Sequence, residues 1–302
     1  LQKARRARRG ELFFSFKKGV MMRRWCIVAG WLAASALWAA PAARYPIGER
    51  LVCKAWFVGF IPIGTVWMGL TTGSYGGAET IVCEGRCLGD FKFYVADVRL
   101  ASHLDSWTER ALYHEIEQYG SERRGRRLTF DWRSNVVNYV RRERDGSYKT
   151  RRVVPVTPDV WDVYSCAFQA RKYFQPVVGW SNDVKLIETE RVFHIRVTVL
   201  ERKQLAIEGL GTFDACRIGF TPLNLQPHEV FKGLLNLDRD IEVWVESTTC
   251  TPLYLKSTVP FGFLRPKVEV VLTEWQTVPG FEPRMVHVTS NAVAHGLTAA
   301  PQ

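Results

Sequence analysis

The sequence predicts an all-β, mainly antiparallel protein: a curved sheet, barrel-like or sandwich, with one packed helix near residues 158–174. Three observations predict it. Over most of the chain apolar and polar residues alternate with period two, the pattern of half-buried strands. Short turn signals separate the alternating runs, and strands joined by short turns pair antiparallel. One segment breaks the period and spaces its apolar residues as a helix does.

The elements follow in order. Leu51–Phe57 leads through Gly59–Gly64 into Thr65–Leu70, and Phe91–Val98 comes after the Gly76-Gly77 turn. Leu128–Trp132 and Val136–Arg142 flank Ser134-Asn135, while Asp145-Gly146 before Tyr148 is a two-residue hairpin signal. Thr157-Pro158-Asp159 has the chemistry of a helix start, with proline at the first position and an acid in the first turn. Trp161, Tyr164, Ala167, Phe168 and Arg171 then fall at helical spacing until Gln175-Pro176 stops the element. Val192–Leu200, Phe213–Phe220, Ile241–Glu246, Leu253–Val259 and Lys267–Trp275 complete the strands, with turns at Gly209-Leu210-Gly211 and Thr251-Pro252. Residues 43–276 read as one β-rich domain, and 277–302, with Pro279-Gly280 and Pro283, as a poorly ordered tail.

The chain begins differently. From Met21, Arg23-Arg24 precede an uncharged apolar run, Trp25–Trp38, and then Ala39, Ala40, Ala42 and Ala43. This is the three-part plan of a secretory signal peptide over residues 21–42, with Ala40-Pro41-Ala42 as cleavage triplet. The run is shorter than the roughly 20 residues a membrane span needs, so no stable transmembrane segment is expected once the signal is removed. Residues 1–20 read as an extension upstream of the true start. The expected location is periplasmic or secreted.

Composition narrows the function. With 302 residues, 47% apolar and 24% charged, the chain is neither disordered nor collagen-like nor a coiled coil. Its formal charge of +11 suggests a nucleic-acid or membrane partner at first. But residues 1–42 carry nine basic residues and one acid, which leaves only +3 for the rest. No nucleic-acid partner is expected. The residual charge is uneven: Arg123 to Arg152 holds eleven basic residues against Asp131, Glu143 and Asp145, and the remainder is acidic.

Neither a G-x-S-x-G elbow nor an H-E-x-x-H helix occurs, and no cofactor or metal is expected. His103 and Asp105 alternate on a strand, with Asp97 or Glu109 nearby, either as a small polar site or as a solvated face. Asp238, Asp240 and Glu242 alternate without the mid-loop glycine of a calcium loop. Beyond Cys26, six cysteines remain (Cys53, Cys83, Cys87, Cys166, Cys216, Cys250), an even number that permits disulfides in an exported chain. Cys83 and Cys87 are candidates for a local bridge; the alternative is that they are small buried residues.

Two candidate binding regions remain. Arg124, Arg127, Arg141, Arg142, Arg144, Arg151 and Arg152 cluster around hairpin ends, where they bind an anion or shield an edge strand from aggregation. Two apolar loops, Phe57-Val58-Gly59-Phe60-Ile61-Pro62-Ile63 and Val259-Pro260-Phe261-Gly262-Phe263-Leu264, place aromatics around glycine and proline at strand ends. Phe57, Phe60, Ile61, Ile63, Phe261 and Phe263 are the hydrophobic-ligand candidates, or else plugs that close the sheet.

Gly48-Glu49-Arg50-Leu51, Ile61-Pro62-Ile63-Gly64-Thr65 and Phe130-Asp131 come in a recognisable order. They are followed by Asp162-Val163-Tyr164-Ser165 with Arg171, Gly211-Thr212-Phe213-Asp214-Ala215-Cys216, Ile241-Glu242-Val243-Trp244-Val245, Pro252 and Pro260-Phe261-Gly262. Over about residues 47–275 this order resembles the bacterial exported family called domain of unknown function 3108. Cys53, in place of an aromatic residue, and Glu246-Ser247 depart from its pattern. The resemblance implies an exported, single-domain β-rich protein without accepted catalytic residues. The expected function is non-enzymatic binding of a hydrophobic or lipid-like envelope ligand. The alternatives are an envelope interaction module that holds a protein or acidic glycan through its basic hairpins, and, third, an enzyme of unrecognised type.

Overall fold

Fifteen strands and one helix organise residues 45–91, 94–121, 123–143, 145–225, 241–258 and 267–281, with Pro283 and Met285, which are the residues this computed structural model describes. The first half contains β1 (Arg50–Phe57), β2 (Ile61–Tyr75), β3 (Ala78–Phe91), β4 (Tyr94–Asp105) and β5 (Ala111–Gly120). Then come β6 (Arg124–Asp131), β7 (Val136–Arg142), β8 (Tyr148–Pro155) and β9 (Val160–Asp162), followed by the helix α1 (Val163–Tyr173). The second half is β10 (Ser181–Glu188), β11 (Arg191–Ile207), β12 (Gly211–Pro222), β13 (Glu242–Glu246), β14 (Pro252–Thr258) and β15 (Lys267–Gln276).

All fifteen strands belong to one sheet, which runs in space from β8 back to β1 and then from β15 down to β9. Every neighbouring pair is antiparallel except β9 with β10. The predicted class is therefore observed: a mainly antiparallel, curved sheet with one helix among the described residues. Period-two alternation is clearest in β1, whose residues 51, 53 and 55 are buried and whose residues 50 and 54 are exposed. The β2–β3 hairpin turns on Gly76 and Gly77, both at positive φ, as a two-residue turn of primed type requires.

The two ends of the sheet curl over one another. Val137, Tyr139 and Val154 from β7 and β8 share a buried cluster with Val160 of β9 and Ile187 of β10. Inside the curl lies α1, and the face that carries it is the concave one. Tyr164 and Phe168 pack on Leu70, Cys83 and Leu104, and Cys166 packs on Leu186 and Ile195. No helix among the described residues is long and apolar enough to cross a membrane.

Three expectations change. The helix starts later than the Thr157-Pro158-Asp159 signal suggests. Asp162 is its N-cap, accepting from the backbone N–H of Tyr164 and Ser165, while Trp161 lies on β9. Thr157 instead makes a turn into β9, its carbonyl accepting from Val160 N–H at 3.1 Å. Second, β3, β5, β8, β9 and β10 are additional strands, and the strand expected from Phe91 divides into the ends of β3 and β4.

Third, Cys83 and Cys87 form no bridge, and all six described cysteines are free. Both lie on β3, paired without interruption to β2 and β4. Four residues of strand span about 13 Å, well beyond the roughly 7 Å limit between bridged Cα atoms. Beyond β15, Met285 forms an isolated β-bridge with Phe213.

Candidate functional site

Strand register sorts the concave face into cross-strand rows. Leu70, Cys83, Ser102, His114, Leu128 and Tyr139 pair in succession from β2 to β7, and every one is buried: the first four meet α1 or its Asp162 cap, while Leu128 and Tyr139 pack with Val160 of β9 and Ile187 of β10. The next row toward the other end is Met68, Gly85, Leu100, Ile116, Arg126 and Arg141. The row after that is Val66, Cys87, Val98, Gln118 and Arg124. These two rows are half-buried, becoming exposed at Arg141 and Arg124. The helix thus fills one end of the curl. At the other end a strip of apolar side chains is only half covered.

Polar groups in the filled end are held for structure. Ser102 donates to Asp162 Oδ1 at 2.7 Å and meets His114 Nδ1 at 2.8 Å. Asp162 Oδ1 also lies 3.3 Å from His114 Nδ1, and its carboxylate accepts from the backbone N–H of Tyr164 and Ser165 and from the Ser165 hydroxyl. Complete burial disfavours the Asp162 charge, but the His114 ring and these hydrogen bonds outweigh it and hold the carboxyl below the usual aspartate range. Serine, histidine and aspartate meet here without forming a hydrolytic triad. A triad binds serine and acid to opposite ring nitrogens, whereas both partners here share Nδ1. The arrangement ties the helix start to β4 and β5.

A second buried network ties down the helix end. Arg171 places its guanidinium against Glu49 with contacts of 2.5 and 3.0 Å, donates to the Thr249 carbonyl at 2.9 Å and bonds the Thr251 hydroxyl. Trp275 donates its indole N–H to Glu49 at 3.0 Å. Glu246 organises the same turn, accepting from the backbone N–H of Thr248 and Thr249 and from the Thr249 hydroxyl. The Glu246-Ser247 departure thus lies in a turn built around the Glu246 carboxylate.

The predicted arginines do not form one cluster. Arg127 and Arg142 face the convex side, where Arg127 meets Glu115 at 3.1 Å, Arg142 meets Glu117 at 2.7 Å, and Arg127 covers the Tyr148 ring at 3.8 Å. Burial and the Glu117 carboxylate push the Tyr148 hydroxyl up to about 12. Arg151 pairs with Glu143, and Arg152 lies 3.9 Å from Glu190. Arg124 and Arg141 share the concave side with Arg126, which reaches Glu188 of β10 at 3.3 Å. Arg144 lies outside the described residues.

The apolar loop at β1–β2 stands at the half-covered end. Its tip carries Phe60, 70% exposed, and Val58, 48% exposed, while Phe57 and Ile61 pair across the hairpin. Ile63 lines an open pocket of about 280 Å³ with Lys54, Trp56, Pro62, Gly64 and Thr65. Phe261 and Phe263 lie outside the described residues, but their anchors do not: Thr258 pairs with Lys267, and Val58 N–H donates to the Lys267 carbonyl at 2.8 Å. The facing ends of β14 and β15 therefore stand beside the β1–β2 tip.

The other polar candidates stay apart. His103 bonds Thr80 at 3.1 Å beside Tyr75 and Tyr113, and burial lowers its pKa. Asp105 spends its carboxylate on the Trp107 and Thr108 turn. Asp238 and Asp240 lie outside the described residues, and Glu242 accepts from the Trp244 indole at 2.7 Å. No group of metal-ligating side chains occurs among the described residues.

Known proteins add the family. A Brucella abortus β-barrel-like protein of domain of unknown function DUF1849 matches with TM-score 0.48 and 9% identity, over 76% of this chain and 97% of that one. A putative exported protein with YmcC-like fold from Bacteroides fragilis matches with TM-score 0.27 and 7% identity, over 76% and 96%. No curated protein matches. The family described as protein of unknown function, DUF3108, matches residues 54–269. That match takes in both buried networks except Glu49 and Trp275, and the chain belongs to the DUF3108 family.

Proposed function

We propose that the chain is an exported, non-enzymatic protein of the cell envelope that holds a hydrophobic, lipid-like ligand at the helix-free end of its concave face. One observation carries the reading: the apolar rows Met68–Ile116 and Val66–Val98 are left half-covered where the row beside them is fully buried, under α1 at Leu70 and Cys83 and against β9 and β10 at Leu128 and Tyr139. Leaving apolar side chains wet forfeits about 25 cal/mol per Å², so a ligand that covers them has a ready driving force. The exposed Phe60 at the same end offers a first contact for such a ligand. Export is supported by the leader pattern of residues 21–42. The absence of enzymatic function is supported by the commitment of Ser102, His114 and Asp162 to the helix cap.

Solvent extraction of the purified protein followed by mass spectrometry tests the reading, with uptake of a hydrophobic dye as second measurement. Copurifying lipid or saturable dye uptake supports it. A protein that carries no lipid and takes up no dye overturns it.

A second reading, an envelope interaction module, is favoured by β8. It ends the sheet, and its residues 148–153, three of them basic, are all exposed. Crosslinking in cells discriminates, since a module yields a stable protein or glycan adduct through β8 and a ligand carrier does not.

A further inference from the structure

The two half-covered rows are polarised. Met68, Gly85, Leu100 and Ile116 are apolar, and the same row continues into Arg126 and Arg141 on β6 and β7. The neighbouring row repeats the order, Val66, Cys87 and Val98 followed by Gln118 and Arg124. Adjacent strands are about 4.8 Å apart, so the apolar part of the first row is about 14 Å wide from Met68 to Ile116. At Gly85 an added Cβ would come within 2.7 Å of the Leu100 side chain, so the glycine lets Leu100 lie flat along the row.

Arg126 is held loosely. A single guanidinium nitrogen meets a single Glu188 oxygen at 3.3 Å, where a carboxylate fully engaged by arginine takes two shorter contacts. Arg141 is exposed and makes no ion pair among the described residues. The Tyr164 hydroxyl, on the first turn of α1, makes no hydrogen bond among the described residues. Its electrostatic neighbours include Arg126, Cys87 and Glu188. Burial, the largest influence on it, keeps this phenol neutral and therefore a donor.

We propose that the ligand is an anionic amphiphile lying across the strands. Its chain covers Leu100 and Ile116, and its carboxylate or phosphate headgroup takes Arg126 from Glu188, with Arg141 beside it. This assignment rests on the ligand-binding reading above and names the ligand's chemical class. Glu188 acts as an internal stand-in for the headgroup, so it competes with the ligand.

Competition against a bound neutral hydrophobic dye tests it on the purified chain, with laurate, dodecyl phosphate and dodecanol as probes of equal chain length. The anionic probes should displace the dye at concentrations about tenfold or more below dodecanol, as one charge-assisted hydrogen bond predicts. Which anion displaces best identifies carboxylate or phosphate as the preferred group. Arg126→Gln and, at the exposed position, Arg141→Gln should remove the anionic advantage and leave dodecanol unchanged. Glu188→Gln should strengthen both anions. Equal displacement by dodecanol, or an equal loss for all three probes in both arginine variants, overturns the anionic headgroup and leaves hydrophobic binding standing. A chain that binds no dye overturns the reading on which it rests.

Discussion

Arg171 and Glu49 stand 122 residues apart in sequence and meet in a two-pronged ion pair with contacts of 2.5 and 3.0 Å. Their side chains are 7% and 2% exposed. The pair joins the last turn of the helix to the entry of β1, and Thr251 and Trp275 complete its hydrogen bonds. Removing one partner leaves a buried charge unmatched, which costs about 3–5 kcal/mol. Arg171→Met is therefore expected to lower the free energy of unfolding in urea by that amount. The double variant Glu49→Gln, Arg171→Met should lose less than the two single variants together. Strict additivity would show that the two side chains do not depend on each other.

Asp162 ties acid sensitivity to the helix start. Its folded carboxyl titrates below the unfolded one because the His114 ring and the cap hydrogen bonds outweigh the cost of burial. As pH falls, the unfolded chain takes up the proton first. The stabilisation from this carboxylate is complete above the ordinary aspartate pKa of about 3.9 and is lost as pH falls through the lowered value. The stability difference between the protein and its Asp162→Asn variant should therefore be largest near neutrality and shrink below about pH 4. Unfolding curves collected from pH 7 to 3 measure it, and a difference independent of pH refutes the assignment.

The cysteines make a chemical prediction. Burial pushes the thiols of Cys53, Cys166 and Cys250 up to about 12 and that of Cys216 to about 11, so little thiolate forms near neutral pH. Cys87, half-buried on the open rows, is the most accessible of the inward thiols on β3. Alkylation of the native protein should modify Cys87 first and leave the fully buried Cys83 untouched. Denaturation without reductant should then expose all six described cysteines to the reagent. A mass two units short per missing pair of labels would reveal a disulfide and contradict the free thiols.

Strands with clean alternation were legible from sequence because burial on one face leaves its mark locally, as in β1 and β7. β3 escaped because Gly85 and Gly89 interrupt its pattern, and β8 because its exposed edge carries charge in place of alternation. The helix could be read, but not its start, since Thr157-Pro158-Asp159 and Asp162–Ser165 both have capping chemistry and only the pairing of β9 with β10 chooses between them. The split of the arginines between two faces was hidden in the register of β5 to β7. A single alternation separates Arg126 from Arg127, and sequence alone does not say which side is concave. Ser102 and His114 carried a faint signal as polar residues at inward positions. Their link to Asp162, 60 residues from Ser102, is purely tertiary.

Two phenylalanines separate a binding surface from a core. Phe213 is 2% exposed, packed among Leu51, Leu253 and Leu272, with its ring 6.0 Å from that of Trp275. Phe60 is 70% exposed at the β1–β2 tip. Phe213→Ala empties a closed site and should cost about 3–5 kcal/mol. Phe60→Ser removes a side chain that is mostly in water already and should change stability by less than about 0.5 kcal/mol. If the tip guides a hydrophobic ligand to the half-covered rows, Phe60→Ser should slow dye uptake at unchanged stability. Unaltered uptake would remove the tip from the binding surface, and a large loss of stability would place Phe60 in the core.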